Sequence, residues 1–288
     1  MASEQQPLSA PREQKTDALA TETAYRTHRR FDRAARLFTE PGLQRLMGAR
    51  VLVFGLGGVG SFAAEALARS AVGKLVLVDF DEICITNVNR QLHALKGNVG
   101  RNKVDVMAER LRLIHPASEV SAVPSFYNEA ESDALLSGQV DFVVDAIDNV
   151  TAKAHLIATC LKRGLPLVSS MGAAARLDPT RIQTKDLAET HKDPLARHVR
   201  KLLRQHHGLA VNEREPLGVT AVFSDEDPIE PSAVSYDQGQ GFRCVCPNGD
   251  NGLHTCEKRS RIEGSAGFVT GAFGLACASV VVRKLIGR

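Results

Sequence analysis

Between two apolar runs, Arg50–Phe54 and Lys74–Asp79, the chain carries Gly55-Leu56-Gly57-Gly58-Val59-Gly60, followed at once by an apolar helical stretch. Glycines at this spacing let a backbone turn sharply and approach a phosphate where a side chain would collide. The helix that follows would aim free N–H groups and its positive dipole end at the same anion. Asp79, closing the second run, stands where a carboxylate accepts bonds from ribose hydroxyls. So far the pattern serves a dinucleotide such as NAD as well as a nucleoside triphosphate, and a glycine turn can also be purely architectural.

The residues after Asp79 shift the balance. The run is Asp79-Phe80-Asp81-Glu82-Ile83-Cys84-Ile85-Thr86-Asn87-Val88-Asn89-Arg90-Gln91, with Lys103 heading the next helical stretch. A nicotinamide ring needs a flat apolar slot, whereas a triphosphate needs converging Asn, Arg and Lys donors to neutralise charge as it moves between oxygens. A later apolar run ends Asp145-Ala146-Ile147-Asp148-Asn149. A carboxylate at the carboxyl end of a strand can hold Mg²⁺ against phosphate oxygens.

Elements able to position these groups are legible from residue 50 onward. Strands are predicted at Arg50–Phe54, Lys74–Asp79, Val120–Val123, Val140–Ala146 and Pro166–Ser169, alternating with helices at Ser61–Ser70, Lys103–Ile114 and Ala152–Arg163. This alternation signals an α/β, Rossmann-like fold, with a mostly parallel sheet covered by helices on both faces. Beyond about residue 175 the rhythm changes to a strand at Arg181–Lys185, a basic helix at His191–His207 and a strand at Val219–Phe223. An irregular loop at about 224–263 follows, and then a C-terminal apolar helix. The lead-in at 25–48 reads as helical and arginine-rich, with a break or restart at Pro41.

Composition removes several function classes. Of 288 residues, 43% are hydrophobic and 24% charged, which excludes global disorder. Thirty-six Lys and Arg against 33 Asp and Glu leave +3, too little to announce nucleic acid yet compatible with local basic patches. Six unevenly spaced cysteines make no disulfide framework, so a reducing, cytoplasmic compartment is expected. Residues 1–23 lack an apolar core and carry Glu4, Glu13, Asp17 and Glu22; they read as a disordered tail rather than a targeting signal. One domain is expected over 24–288. Ser265–Val282 is uncharged over 18 residues, with Gly267 and Gly271 in GxxxG spacing. Its Ala, Gly and Ser content favours a helix buried in the protein over a membrane span.

GLGGVG, VDFD with NVNRQ, Lys103 and DAIDN, in this order, resemble the ThiF-type adenylating domain of the ubiquitin-activating and sulfur-carrier-activating enzymes. The match is strongest over residues 30–175. The resemblance implies ATP with Mg²⁺, adenylation of a carboxylate, and a homodimer. It places Gly55, Gly57, Gly58, Gly60, Asp79, Asp81, Asn87, Arg90, Gln91, Lys103, Asp148 and Asn149 on ATP or its metal. Three of these carry the implied catalysis: Arg90 on the leaving phosphates, Lys103 on phosphates or ribose, and Asp148 on Mg²⁺.

Sulfur-carrier activators usually carry two CxxC pairs, and here the stretch Ser169–Arg176 has none. The chain also lacks the second catalytic half of the ubiquitin-type activators. THRRFDRAARLF, NRQLHALKGNVGRNKVDVMAERL and MGAAARLDPTRIQTKDLAETHKDPLARHVRKLLR instead resemble the bacterial-type tRNA threonylcarbamoyladenosine dehydratases. This branch implies ATP-dependent cyclisation of the modified adenosine beside a tRNA anticodon. The threonyl carboxylate would be adenylated, and ring closure within the same nucleoside would follow.

A tRNA would suit the basic helix, where Lys192, Arg197, Arg200, Lys201 and Arg204 stand against one acid, Asp193; a solvated amphipathic helix is the alternative. An activator of a sulfur-carrier protein, a non-catalytic nucleotide-binding scaffold and an NAD oxidoreductase are the rival functions. A sulfur-relay protein is a further partner to be considered. Cys244, Cys246, His254 and Cys256 form C-x-C-x7-H-x-C in the long loop, a candidate zinc set. Redox or sulfur-transfer roles, or ordinary loop cysteines, are the alternatives. Cys84, Cys160 and Cys277 lie in apolar company and read as core.

Overall fold

The strands that carry near-continuous apolar runs stand in the middle of the sheet, where both faces are covered. In the computed structural model, which describes residues 26, 28–212, 215–234 and 262–288, seven strands form one sheet in the order β3-β2-β1-β4-β5-β7-β6. They are β1 (Arg50–Phe54), β2 (Lys74–Val78), β3 (Glu119–Val123), β4 (Phe142–Asp145), β5 (Leu167–Ser170), β6 (Ile182–Asp186) and β7 (Thr220–Ser224). All neighbours pair parallel except β6 with β7. The predicted fold class is the one observed.

The helices are α1 (Asp32–Phe38), α2 (Glu40–Gly48), α3 (Gly60–Arg69), α4 (Lys103–Ile114), α5 (Glu129–Leu135), α6 (Val150–Arg163), α7 (Pro194–His207) and α8 (Gly267–Ile286). The period of two along β1 sorts its side chains between two cores. Val51 and Val53 pack with Leu67 of α3, Val104 of α4 and Phe273 of α8 on one face. Leu52 and Phe54 pack with Leu156 of α6 and Leu203 of α7 on the other. The chain steps outward from β1 to β2 and β3, then returns to place β4 on the other side of β1. The strand order thus reverses at β1 and β4, and open parallel sheets bind ligands outside the carboxyl ends of the strands at such a reversal.

Three local features differ from expectation. The lead-in breaks at Thr39, held at φ 68°, rather than at Pro41. Pro41 lies in the first turn of α2, where its missing N–H costs nothing, and the Thr39 hydroxyl caps Gly42 N instead. Helix α7 starts three residues later than predicted, because Asp193 caps it and Pro194 sets its first turn. Acidic α5, with a capping Asn128, had no apolar periodicity to reveal it. In the predicted 224–263 loop, 225–234 are irregular, while 235–261 lie outside the described residues, as does the 1–23 tail.

Helix α8 is long and apolar enough to cross a membrane by length and composition, with mean hydropathy 1.6, yet most of it is buried against the protein. Its glycines explain the close fit. A Cβ on Gly274 would stand 2.3 Å from Val59 O, and one on Gly271 would stand 3.0 Å from the Phe62 ring.

Candidate active site

The glycine turn divides into residues that the fold requires and residues that it leaves open. Gly55 sits at φ +84°, and a Cβ there would stand 2.6 Å from Ala146 O. At Gly60 a Cβ would fall 1.7 Å from Gly55 O, so α3 could not begin so close to β1. A Cβ on Gly57 would meet only Gln91 Nε2, at 3.9 Å, so nothing in the protein itself demands glycine there. The space above Gly57 is open to a ligand. Gly58 is closed in: a Cβ there would stand 2.9 Å from Thr270 Oγ1 of α8 and 3.3 Å from the Arg90 stem.

Asp79, buried at the end of β2, locks this turn to the sheet. Its carboxylate accepts from Leu56 N at 2.6 Å and Asp81 N at 2.8 Å. Lys103 heads α4 and is itself buried. Its ammonium lies 2.6 Å from Asp81 Oδ2 and 3.9 Å from Asp79 Oδ1. Burial alone would push the ammonium down; the Asp79 and Asp81 carboxylates, with Asp148 further out, outweigh it and hold Lys103 protonated.

The NVNRQ segment folds into a short turn in which the two asparagines serve different ends. Asn87 is buried and accepts from Cys84 N at 3.0 Å, while Asn89 donates to Ser265 O at 2.9 Å, just ahead of α8. Arg90 is half-buried and donates to Thr86 O at 3.0 Å and Asn89 Oδ1 at 2.9 Å. Gln91 is buried beside the turn.

At the end of β4 the two aspartates part company. Asp148 is exposed at the mouth. Asp145 is fully buried, paired with Lys153 Nζ at 2.7 Å and accepting from Ser169 Oγ at 2.6 Å and Ile147 N at 3.1 Å. Lys153 also donates to Ser170 O at 2.9 Å, so one ammonium ties together the ends of β4 and β5. The sequence reading missed Lys153. Its signal was a charged residue four before Ile157 and seven before Cys160, on the buried stripe of α6. Asn149 spends its side-chain oxygen capping α6 at Ala152 N.

The five basic candidates on and before α7 are not equivalent. Arg197, Lys201 and Arg204 are exposed and follow one helical stripe. Arg200 turns inward to donate to Thr190 O at 2.8 Å and Leu187 O at 3.3 Å. Lys192 pairs with Asp227 at 2.9 Å. Asp193 does not face them, because its buried carboxylate caps Ala196 N and holds Gly172 N, each at 2.9 Å. Among the described residues no group of three or more His, Cys, Asp or Glu is placed to hold a metal. Cys244, Cys246, His254 and Cys256 lie outside those residues. Cys84, Cys160 and Cys277 are buried free thiols; burial pushes Cys160 and Cys277 up to about 12, which makes them inert.

The ThiF family profile matches residues 31–288. The chain is 42% identical over 264 residues to the tRNA threonylcarbamoyladenosine dehydratase of Escherichia coli, covering 90% of this chain and 94% of that protein. It is 49% identical over 199 residues to the Bacillus subtilis protein of the same name, covering 69% and 76%. The crystal structure of the E. coli dehydratase in complex with ATP superposes with a TM-score of 0.77 at 40% identity, covering 90% of this chain and 95% of that one.

Proposed function

The chain belongs to the ThiF family, and on that premise we propose that it dehydrates N6-threonylcarbamoyladenosine beside the anticodon of tRNA at the expense of ATP. The observation that carries this reading is the placement of the Gln91 amide and the Arg90 stem beside an open glycine turn whose anchor, Asp79, faces Lys103, in a chain that aligns almost end to end with dehydratases. A scaffold that only binds nucleotide has no use for an arginine at the glycine turn long enough to follow a departing phosphate.

The chemistry starts with the threonyl carboxylate. One of its oxygens attacks the α-phosphorus of ATP, forming an acyl–O–P bond while the bond to pyrophosphate breaks. A nitrogen of the same modification then attacks the activated carbonyl and loses its proton, and the acyl C–O bond breaks to release AMP. The carboxylate oxygen leaves on AMP, so the nucleoside loses the elements of water. Both reacting groups sit on one nucleoside, so ring closure gains the advantage of a positioned pair without a protein nucleophile.

Each residue then has a task. The α3 N-terminus and the Gly57 backbone receive phosphate oxygens. Arg90, exchanging its bonds to Thr86 O and Asn89 for phosphate oxygens, stabilises charge on departing pyrophosphate. Lys103 supplies fixed positive charge to phosphates or ribose. Asp148, an exposed carboxylate at the strand end, fits Mg²⁺, which needs few protein oxygens and keeps several waters. When bound, the ion would neutralise phosphate charge. Arg197, Lys201 and Arg204 would meet the tRNA backbone. A homodimer completes the proposal, supported by Phe268 and Leu275, which stand exposed seven residues apart on α8.

The test uses tRNA bearing threonylcarbamoyladenosine, ATP and Mg²⁺, with mass spectrometry of the digested nucleosides and Arg90→Ala as control. A nucleoside lighter by one water, absent with the variant, is expected. ATP–pyrophosphate exchange supported only by a small carrier protein would move the function to sulfur-carrier activation.

A further inference from the structure

Behind the residues that face the glycine turn lies His93, 1% exposed and two positions beyond Gln91. Its Nε2 stands 3.0 Å from Gln91 Oε1. A carbonyl oxygen has no proton to give, so Nε2–H is the donor and Nδ1 carries the lone pair. Nδ1 is buried and has no hydrogen-bond partner among the described residues. This decides the orientation of the amide. Were Gln91 turned over, its NH₂ would donate to Nε2, and the imidazole proton would move to Nδ1, where nothing receives it. An orphaned buried N–H is the costlier defect, so the amide stands with Oε1 toward His93.

The backbone that carries the imidazole is tied down on both sides. Asn98 Nδ2 donates to the His93 carbonyl at 3.0 Å, and the neighbouring Leu92 N reaches Ser61 Oγ at 3.4 Å, at the start of α3. Burial, reinforced by the nearby Lys103 charge, keeps the ring neutral and pushes it down to about 3. A neutral ring with one fixed N–H is a one-way donor. With Oε1 committed, the Gln91 amide nitrogen is the end turned toward Gly57, where it stands 3.9 Å from a Cβ position that the protein leaves open.

We propose that His93 is a positioning residue for the nucleotide: by holding Gln91 Oε1, it presents the Gln91 N–H groups, and not the carbonyl, to the phosphates over Gly57. The inference rests on the glycine turn being the ATP seat. An amide free to turn over would place a carbonyl dipole against an anion in part of the population, weakening binding without changing the shape of the site. His93 itself touches neither substrate nor phosphate.

The experiment measures ATP–Mg²⁺ binding to the full-length protein by calorimetry, with melting temperature recorded for each variant. His93→Gln offers an amide N–H in place of Nε2–H, whereas His93→Met fills the volume without a donor. His93→Met is expected to weaken ATP by about tenfold and His93→Gln by no more than about threefold, the scale of one lost hydrogen bond to an ordered group. In a Gln91→Ala background, His93→Met should add no further loss, because its effect passes through Gln91. Losses that multiply in the double variant would overturn the proposal. So would equal losses for Met and Gln at equal melting temperature. ATP binding by the wild type that His93→Met leaves untouched would overturn this inference alone, whereas a wild type that binds no ATP would overturn the ATP seat itself.

Discussion

A lysine ammonium with no exposed surface, Lys153, is balanced by one carboxylate, Asp145, and two strand-end oxygens. Removing one member of such a pair leaves a bare buried charge, which costs about 3–5 kcal/mol. Lys153→Met should therefore lower the unfolding free energy by that amount, and Lys153→Met with Asp145→Leu should recover much of the loss; both are read by urea unfolding. Glu65 gives a pH-dependent case. Burial raises its carboxyl, but the Arg110 and Arg69 guanidiniums outweigh this and hold it below its usual value of 4.5. A depressed carboxylate contributes stability above its unfolded pKa and loses it as pH falls through the folded one. Glu65→Gln should accordingly be less stable than wild type at pH 7, with the difference closing in acid-unfolding curves as pH falls below the usual carboxylate range. At this scale Arg90, Lys103 and Asp148 were legible as members of a spaced motif. Lys153 was not, because Ser169 and Ser170 meet it only in the fold, and His93 was not, because its burial and its unpartnered Nδ1 appear only in the structure.

The glycine turn shows how an element can hold structural and binding glycines side by side. Gly60→Ala forces a Cβ to within 1.7 Å of Gly55 O, so the variant should lose several kcal/mol or fail to fold. Gly57→Ala meets only ordinary contact and should keep the wild-type melting temperature, yet it should weaken ATP binding markedly. Calorimetry alongside thermal melts separates the two, and a Gly57→Ala protein that binds ATP normally would remove the phosphates from this turn. The apolar strands and the helices after β1, β2 and β4 were readable because one period repeats within each. The helix break was misplaced at Pro41 because proline is tolerated in a first turn, and α5 was missed because it is short and acidic, with its capping Asn128 as the only cue.

For the whole molecule, charge placement matters more than the net +3. The exposed stripe of Arg197, Lys201 and Arg204 should supply salt-sensitive contacts to tRNA. Replacing all three by Ala should weaken tRNA binding uniformly and flatten its salt dependence by roughly one logarithmic unit per lost phosphate contact, with ATP binding intact. Arg200→Ala should act differently, through stability, because its guanidinium is spent on the Leu187 and Thr190 carbonyls. The basic character of this segment was visible in sequence, but which arginines face solvent was set by how α7 lies on α6. The central claim, dehydration through an acyl-adenylate, is tested most directly by labelling the threonyl carboxylate of the tRNA substrate with heavy oxygen. Full turnover with ATP should yield a nucleoside lighter by one labelled water equivalent and AMP carrying one heavy oxygen. Unlabelled AMP, or heavy oxygen in inorganic phosphate released with ADP, would contradict it.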